Sequence, residues 1–180
     1  MQVIKFGGTS VASAKNISIV KDIIQEKHTN SSLIVVVSAL GGITNQLIGS
    51  SDMAANGDAA YLSMFKEIEK THLNTAKELL SVKTQGNTLS KIKMLLNELE
   101  DICRGVFLIH ELSNKTKDKI LSFGESLSAV IINDYLIDQG LLSELADAKV
   151  FIKTDSNYGR ANVDFKISNE KIKDYFKEKT

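Results

Sequence analysis

The sequence predicts an α/β fold built on a mainly parallel sheet. Three observations carry that expectation. Residues 33–37, Leu-Ile-Val-Val-Val, form a continuous apolar run rather than an alternating one, the pattern of a strand buried on both faces between layers of helices. Strand-like, helix-like and strand-like segments follow one another between residues 3 and 37, which is a βαβ unit with an expected right-handed crossover. Both strand-like segments run into glycine pairs, Gly7-Gly8 and Gly41-Gly42, and loops of that kind meet at the carboxyl edge of an open parallel sheet.

The first strand covers Val3 to Phe6 and ends at the glycines. Apolar residues Ile17, Val20, Ile23 and Ile24 then recur at helical spacing up to about Lys27, with Ser10 or Ser13 available as a cap. The second strand lies between Asn30-Ser31-Ser32 and Ser38. A helical excursion covers about residues 57–122. Its first helix carries Tyr61, Phe65, Ile68, Ala76 and Leu79; its second carries Leu89, Ile92, Leu95, Leu96, Leu99, Cys103 and Val106. Gly86-Asn87 is the expected break between them. A further helix begins near Glu125, presents Leu127, Val130, Ile131, Tyr135 and Leu136, and stops at Gly140. Val150-Phe151-Ile152 reads as a short third strand and Asp155 to Gly159 as a loop. Residues 168–180 form a charged tail with Ile172, Tyr175 and Phe176 on its apolar side. Three strands are few for a stable sheet, so the pattern fits part of a larger α/β domain better than a small complete one.

Composition narrows the partners. The 22 basic residues balance 22 acidic ones, whereas a nucleic-acid or membrane-surface binder carries a basic excess. No apolar run approaches the ~20 residues needed to span a bilayer. Lys5 and Gly7-Gly8 interrupt the apolar start too early for a secretory signal. The single Cys103 excludes an internal disulfide and fits a reducing cytoplasm. His28, His72 and His110 are too scattered to predict a shared metal site or a Ser-His-Asp triad, and Asp52, Asp58 and Asp101 read as solvated or capping acids.

The chemistry concentrates at the strand ends. Lys5 stands two residues before Gly7, and Thr9 and Ser10 follow the glycines. A Gly-Gly pair admits backbone N–H groups to a ligand without Cβ interference. A helix N-terminus nearby adds a field that favours an anion. Together they suit the phosphates of a nucleotide. A tight strand-to-helix turn capped by Thr9 or Ser10, with Lys5 merely exposed, accounts for the same residues. The order excludes a Walker P-loop, whose lysine follows its glycines, and the spacing is not G-x-G-x-x-G. A second loop, Ser38 to Asn45, follows the second strand and includes Thr44. The third element is Ser122-Phe123-Gly124-Glu125. Taken by itself, Glu125 reads as a first-turn acid that complements a helix dipole; a binding role needs an amine or a metal beside it.

These segments resemble the aspartokinases of the amino-acid kinase superfamily. Lys5-Phe6-Gly7-Gly8-Thr9-Ser10-Val11 resembles their amino-terminal signature, Val37 to Asn45 their second loop and Ser122 to Glu125 their Gly-Glu element. Lys153-Thr154-Asp155 with Tyr158-Gly159-Arg160-Ala161 resembles a further stretch in the same order. The resemblance implies a three-layer α/β/α architecture of the amino-acid kinase, carbamate-kinase-like type. It implies transfer of the γ-phosphoryl group of ATP, used with Mg²⁺, to the β-carboxylate of L-aspartate. The product would be 4-phospho-L-aspartate, on the route to lysine, threonine and methionine. Lys5 would be catalytic, neutralising the transferring phosphoryl group. The Gly7 and Gly8 amides would hold phosphate oxygens, with Thr9 and Ser10 completing the ATP loop. Ser38, Thr44 and Glu125 would bind aspartate, Glu125 through the ammonium group. No residue is expected to hold a metal. The implied partners are the small molecules L-aspartate and ATP, with no nucleic acid and no membrane, in a cytoplasmic homodimer or larger assembly. An aspartate side chain with a pKa near 3.9 is already ionised at neutral pH. The reaction therefore needs alignment and charge neutralisation rather than a general base.

The resemblance also implies pieces beyond these residues. The family's kinase domain continues with an Arg-Gly-Gly-Ser-Asp-type segment and the adenine and ribose contacts. Some members add ACT domains or a homoserine dehydrogenase half. Residues 1–180 are thus expected to be the amino-terminal portion of a single aspartokinase catalytic domain, with little or no kinase activity alone. Two other readings stand beside it. One is an amino-acid kinase acting on glutamate, N-acetylglutamate or carbamate, against which Thr9-Ser10-Val11 and the Ser38 loop speak. The other is a non-catalytic α/β interaction module whose glycine loops are only turns.

Overall fold

A computed structural model of the chain describes residues 2–28 and 32–177. Asn30 and Ser31, expected to bound the second strand, and the last three residues of the tail lie outside the described residues. β1 (Gln2–Phe6) and β2 (Leu33–Val37) pair in parallel, with Lys5 opposite Val36 and Phe6 opposite Val37. α1 (Ala14–His28) connects them. Its start is the expected one, since the Ser13 hydroxyl accepts the Asn16 N–H at 3.3 Å.

The α/β class and the parallel pairing are as predicted, but the burial of the sheet is not. Ile4, Leu33, Val35 and Val37 pack against the hydrophobic core. On the alternate face Val3 is 66% exposed and Val36 44% exposed. Side chains alternate across a strand, so a continuous apolar run buries both faces only where both are covered. Among the described residues only one face is.

After β2 come four helices: α2 (Ile43–Ala55), α3 (Tyr61–Leu79), α4 (Val82–Ile109) and α5 (Asn114–Asp138). α2 starts inside the loop expected over Ser38 to Asn45 and runs on through residues to which the sequence assigns no element. Three of the five residues of its buried stripe, Ile43, Leu47, Ser50, Ser51 and Ala54, are serine or alanine, so its periodicity is faint. The break between α3 and α4 falls at Leu80-Ser81, not at Gly86-Asn87, which are exposed residues within α4. Asp138, at the end of α5, makes the difference. It accepts the Ser81 N–H at 3.0 Å, the Ser81 hydroxyl at 2.7 Å and the Thr84 hydroxyl at 2.7 Å. These bonds hold the first turn of α4 from outside it.

α5 begins at Asn114, capped by Ser113, whose hydroxyl accepts the Thr116 N–H at 3.2 Å. Glu125 is therefore in mid-helix, not in a first turn, and the helix-dipole account of it fails. The first turns of α5 are Asn114-Lys115-Thr116-Lys117-Asp118-Lys119, too polar to show a stripe. α5 ends as expected near Gly140, which sits at φ 81°. It is the one helix among the described residues with the length and hydropathy to cross a membrane, and it is spent in the core instead. Ile120, Leu127 and Ile131 are fully buried, with Ile68, Ile92 and Leu99 from the neighbouring helices.

Residues 148–150 form a short 3-10 turn, not the expected strand, and the one bridge nearby pairs Thr154 with Val163. α6 (Phe165–Phe176) follows, capped by Asp164. Tyr175 and Phe176 on it pack against Phe151 at ring separations of 5.0 and 5.8 Å, and Phe151 itself closes the 3-10 turn.

Two buried groups set chemical properties of the core. Burial pushes the Cys103 thiol up to about 11, so it is an inert packing residue, as its place on the apolar stripe predicts. His72 is 0% exposed; its Nδ1 lies 2.7 Å from the Ile68 carbonyl and its Nε2 has no partner. Burial lowers its pKa from 6.5. Above pH 6.5 the ring is neutral folded and unfolded, and it contributes no pH dependence. Below 6.5 the unfolded chain takes up a proton that the folded chain refuses, so stability falls with pH. Asp138 and Asp155, held below 3.8 by hydrogen bonds from Ser81 and Asn162, lose their contribution only at lower pH. The melting temperature is therefore expected to decline between pH 6.5 and about 5, and His72→Leu to flatten that decline. A wild-type melting temperature constant over this window would refute the assignment.

Candidate active site

The two glycine loops and the middle of α5 converge at the carboxyl edge of the sheet. In the first loop the Gly7 carbonyl accepts the Ser10 N–H at 2.9 Å and the Val11 N–H at 3.3 Å. The Asn16 side-chain amide donates to the Thr9 carbonyl at 2.8 Å, and Val11 is fully buried. These contacts fix the loop from within. None of its hydrogen bonds uses the N–H groups of Gly8 or Thr9. Lys5 is exposed on the open face of β1 and makes no ion pair or hydrogen bond among the described residues.

The second loop spans Ser38 to Gly42, because α2 starts at Ile43. The Ser38 N–H continues the ladder to the Phe6 carbonyl at 3.1 Å. Gly42 turns the chain at φ 80°, and Thr44 is exposed in the first turn of α2. A Cβ on Gly41 would stand 2.7 Å from the Ala12 Cβ, so the two loops touch there because Gly41 has no side chain. A Cβ on Gly124 would stand 2.8 Å from the Ala39 Cβ, and this close approach brings α5 onto the loop. Glu125 then reaches across, and its Oε1 accepts the Ala39 N–H at 3.4 Å. The fully buried Ser128 donates its hydroxyl to the Ser38 carbonyl at 2.7 Å.

Gly7 and Gly8 differ from the packing glycines. Neither has a positive φ, and a Cβ on Gly7 would meet nothing within 4 Å. On Gly8 it would lie 3.6 Å from the Ala39 carbonyl oxygen and 3.9 Å from the Ser38 Oγ, ordinary contacts. The turn itself does not require glycine at either position.

The structure thus gathers Lys5, Gly7, Gly8, Thr9, Ser10, Ser38 and Glu125 around one edge, with Thr44 just beyond it. Sequence reasoning missed Asn16, Gly41 and Ser128, which hold the loops. Only Gly41 carried a signal, as half of a glycine pair. The site is an open edge. A cavity of about 530 Å³ lies elsewhere, between the ends of α2, α4 and α5 and lined by Asp52, His110 and Lys117. A smaller one of about 240 Å³ borders the first loop at Phe6, Ser10 and Asn16.

The model of the amino acid kinase family matches residues 1–180. The chain belongs to the amino acid kinase family. Within it the similar proteins are aspartokinases, as the sequence resemblance indicated. Aspartokinase 1 of the Arabidopsis thaliana chloroplast is 36% identical over 158 residues, 85% of this chain and 26% of that protein. Escherichia coli aspartokinase III, solved in complex with lysine and aspartate, superposes with a TM-score of 0.88 at 22% identity. That match covers 99% of this chain and 38% of the other. The same enzyme with aspartate and ADP gives 0.84 at 24% identity, over 95% and 36% of the two chains. These structural matches show an amino-acid kinase fold. The chain spans between about a quarter and two fifths of the length of these relatives.

Proposed function

We propose that this segment supplies the phosphate loop and half of the aspartate site of an aspartokinase. The reaction is transfer of the ATP γ-phosphoryl group to the β-carboxylate of L-aspartate, giving 4-phospho-L-aspartate for lysine, threonine and methionine synthesis in a cytoplasmic homo-oligomer. One observation carries the reading: Gly7 and Gly8 are glycines that the fold does not need, beside free amides and an unpaired lysine. A ligand whose oxygens approach the backbone closely does need them.

The chain's own groups then divide the work. Phosphoryl transfer brings an anionic nucleophile to an anionic donor, and catalysis is positioning plus charge neutralisation. Lys5 offsets the charge of the transferring group, and the Gly7 and Gly8 amides with the Thr9 and Ser10 hydroxyls hold its oxygens. Ser38, Thr44 and Glu125 hold aspartate, with Glu125 facing its ammonium group. Among the described residues no three His, Cys, Asp or Glu side chains gather into a metal site. A Mg²⁺ ion would arrive with the nucleotide, held largely by its phosphates and by water.

ATP- and aspartate-dependent ADP release from the 180-residue chain is expected to stay at background. Turnover near that of a full-length aspartokinase would refute the half-site reading. In the full-length protein, equal ADP release with glutamate in place of aspartate would overturn the substrate assignment.

A further inference from the structure

Two side chains one helical turn apart on α5 grip the two ends of a single peptide unit. Ser128 donates to the Ser38 carbonyl at 2.7 Å, and Glu125 accepts the N–H of Ala39, the next residue, at 3.4 Å. Residues three apart on a helix share a face, and Gly124 lets that face close onto Ala39. The peptide plane between Ser38 and Ala39 is thereby fixed at both its donor and its acceptor. The plane matters because the two residues it joins border the first loop: the Ser38 Oγ and the Ala39 carbonyl oxygen, which belongs to the next peptide, are the atoms nearest to where a Gly8 side chain would stand.

The two grips are unequal. The Ser128 bond has the length of a strong O–H···O contact, while 3.4 Å is long for N–H···O. Ser128 is fully buried, whereas Glu125 is exposed and is recorded bonding through one carboxylate oxygen. The holding falls to Ser128, and Glu125 keeps its charge available at the surface. We propose that Ser128 is a positioning residue, clamping the Ser38–Ala39 peptide so that Ser38 stands against the Gly8 turn. This rests on the aspartate reading of the site.

The test is NMR on the 180-residue chain, read first without ligand and then with L-aspartate. Ser128→Ala is expected to speed hydrogen exchange of the Ala39 amide about tenfold, the size of one lost hydrogen bond. It should weaken aspartate binding by roughly the same factor. Glu125→Gln keeps an oxygen that can accept from Ala39, so exchange there should hold near the wild-type rate while aspartate binding weakens. Ser50→Ala is the control: Ser50 is a buried serine whose hydroxyl donates to the Tyr61 carbonyl at 3.3 Å, away from the loops. It should change neither readout beyond its effect on global stability. Unchanged Ala39 exchange in Ser128→Ala, or an equal rise in Ser50→Ala, overturns the clamp. A wild-type chain in which aspartate moves no resonance of Ser38, Thr44 or Glu125 counts against the aspartate reading instead, and the ligand-free exchange still decides the clamp.

Discussion

Replacing Lys5 with alanine in the full-length protein carrying this segment is expected to lower kcat roughly 10³-fold, the scale for removing one preorganised charge from a phosphoryl-transfer site. Stability should move by no more than about 0.5 kcal/mol, as for other surface positions. Both halves follow from the same fact: Lys5 is exposed on the open face of β1 and has no protein partner among the described residues. A lysine that holds nothing together can be removed without loosening the fold. Its ammonium group offsets charge on the group in transfer, chiefly in the transition state, so kcat and kcat/KM should fall together. Steady-state kinetics and a thermal melt of the same variant decide it. A loss smaller than tenfold would return Lys5 to the class of solvated surface lysines, and the interaction-module reading would gain.

How much of this was legible in the sequence follows from where the causes lie. β1, α1 and β2 were readable because each is set by its own residues: a β-branched run, a stripe at Ile17, Val20 and Ile24, a serine cap at Ser13. The α3–α4 break was not, because the group that fixes it, Asp138, is 57 residues away from Ser81. The start of α5 was hidden by its charged first turns, and that hid the true setting of Glu125. An acid in a first turn has a local explanation; an acid in mid-helix that reaches another loop does not. The same distance explains Ser128, whose partner Ser38 is 90 residues away. Only the recurring order of the three segments, seen as a family resemblance, tied them together before the geometry did.

Gly8→Ala separates the two accounts of the opening loop. If the glycine serves the turn, alanine should damage the fold. The geometry gives the opposite expectation: the added Cβ meets only ordinary contacts at 3.6 and 3.9 Å, and no positive φ opposes it. The melting temperature should therefore hold or rise slightly, because alanine restricts the unfolded chain by about 0.4–1 kcal/mol. Activity of the full-length protein should fall about 10²-fold, since the methyl group occupies the approach of a phosphate oxygen to the backbone amide. Gly41→Ala and Gly124→Ala provide the contrast. There the new Cβ would stand 2.7 Å from Ala12 Cβ and 2.8 Å from Ala39 Cβ, and overpacking of that kind costs about 1–3 kcal/mol. Melts of the three variants in the 180-residue chain thus rank them without any assay of activity. If Gly8→Ala melts as low as Gly41→Ala, the glycine belongs to the turn and the phosphate reading loses its main support. If it melts like wild type while the full-length variant is inactive, the loop's backbone is kept bare for a ligand.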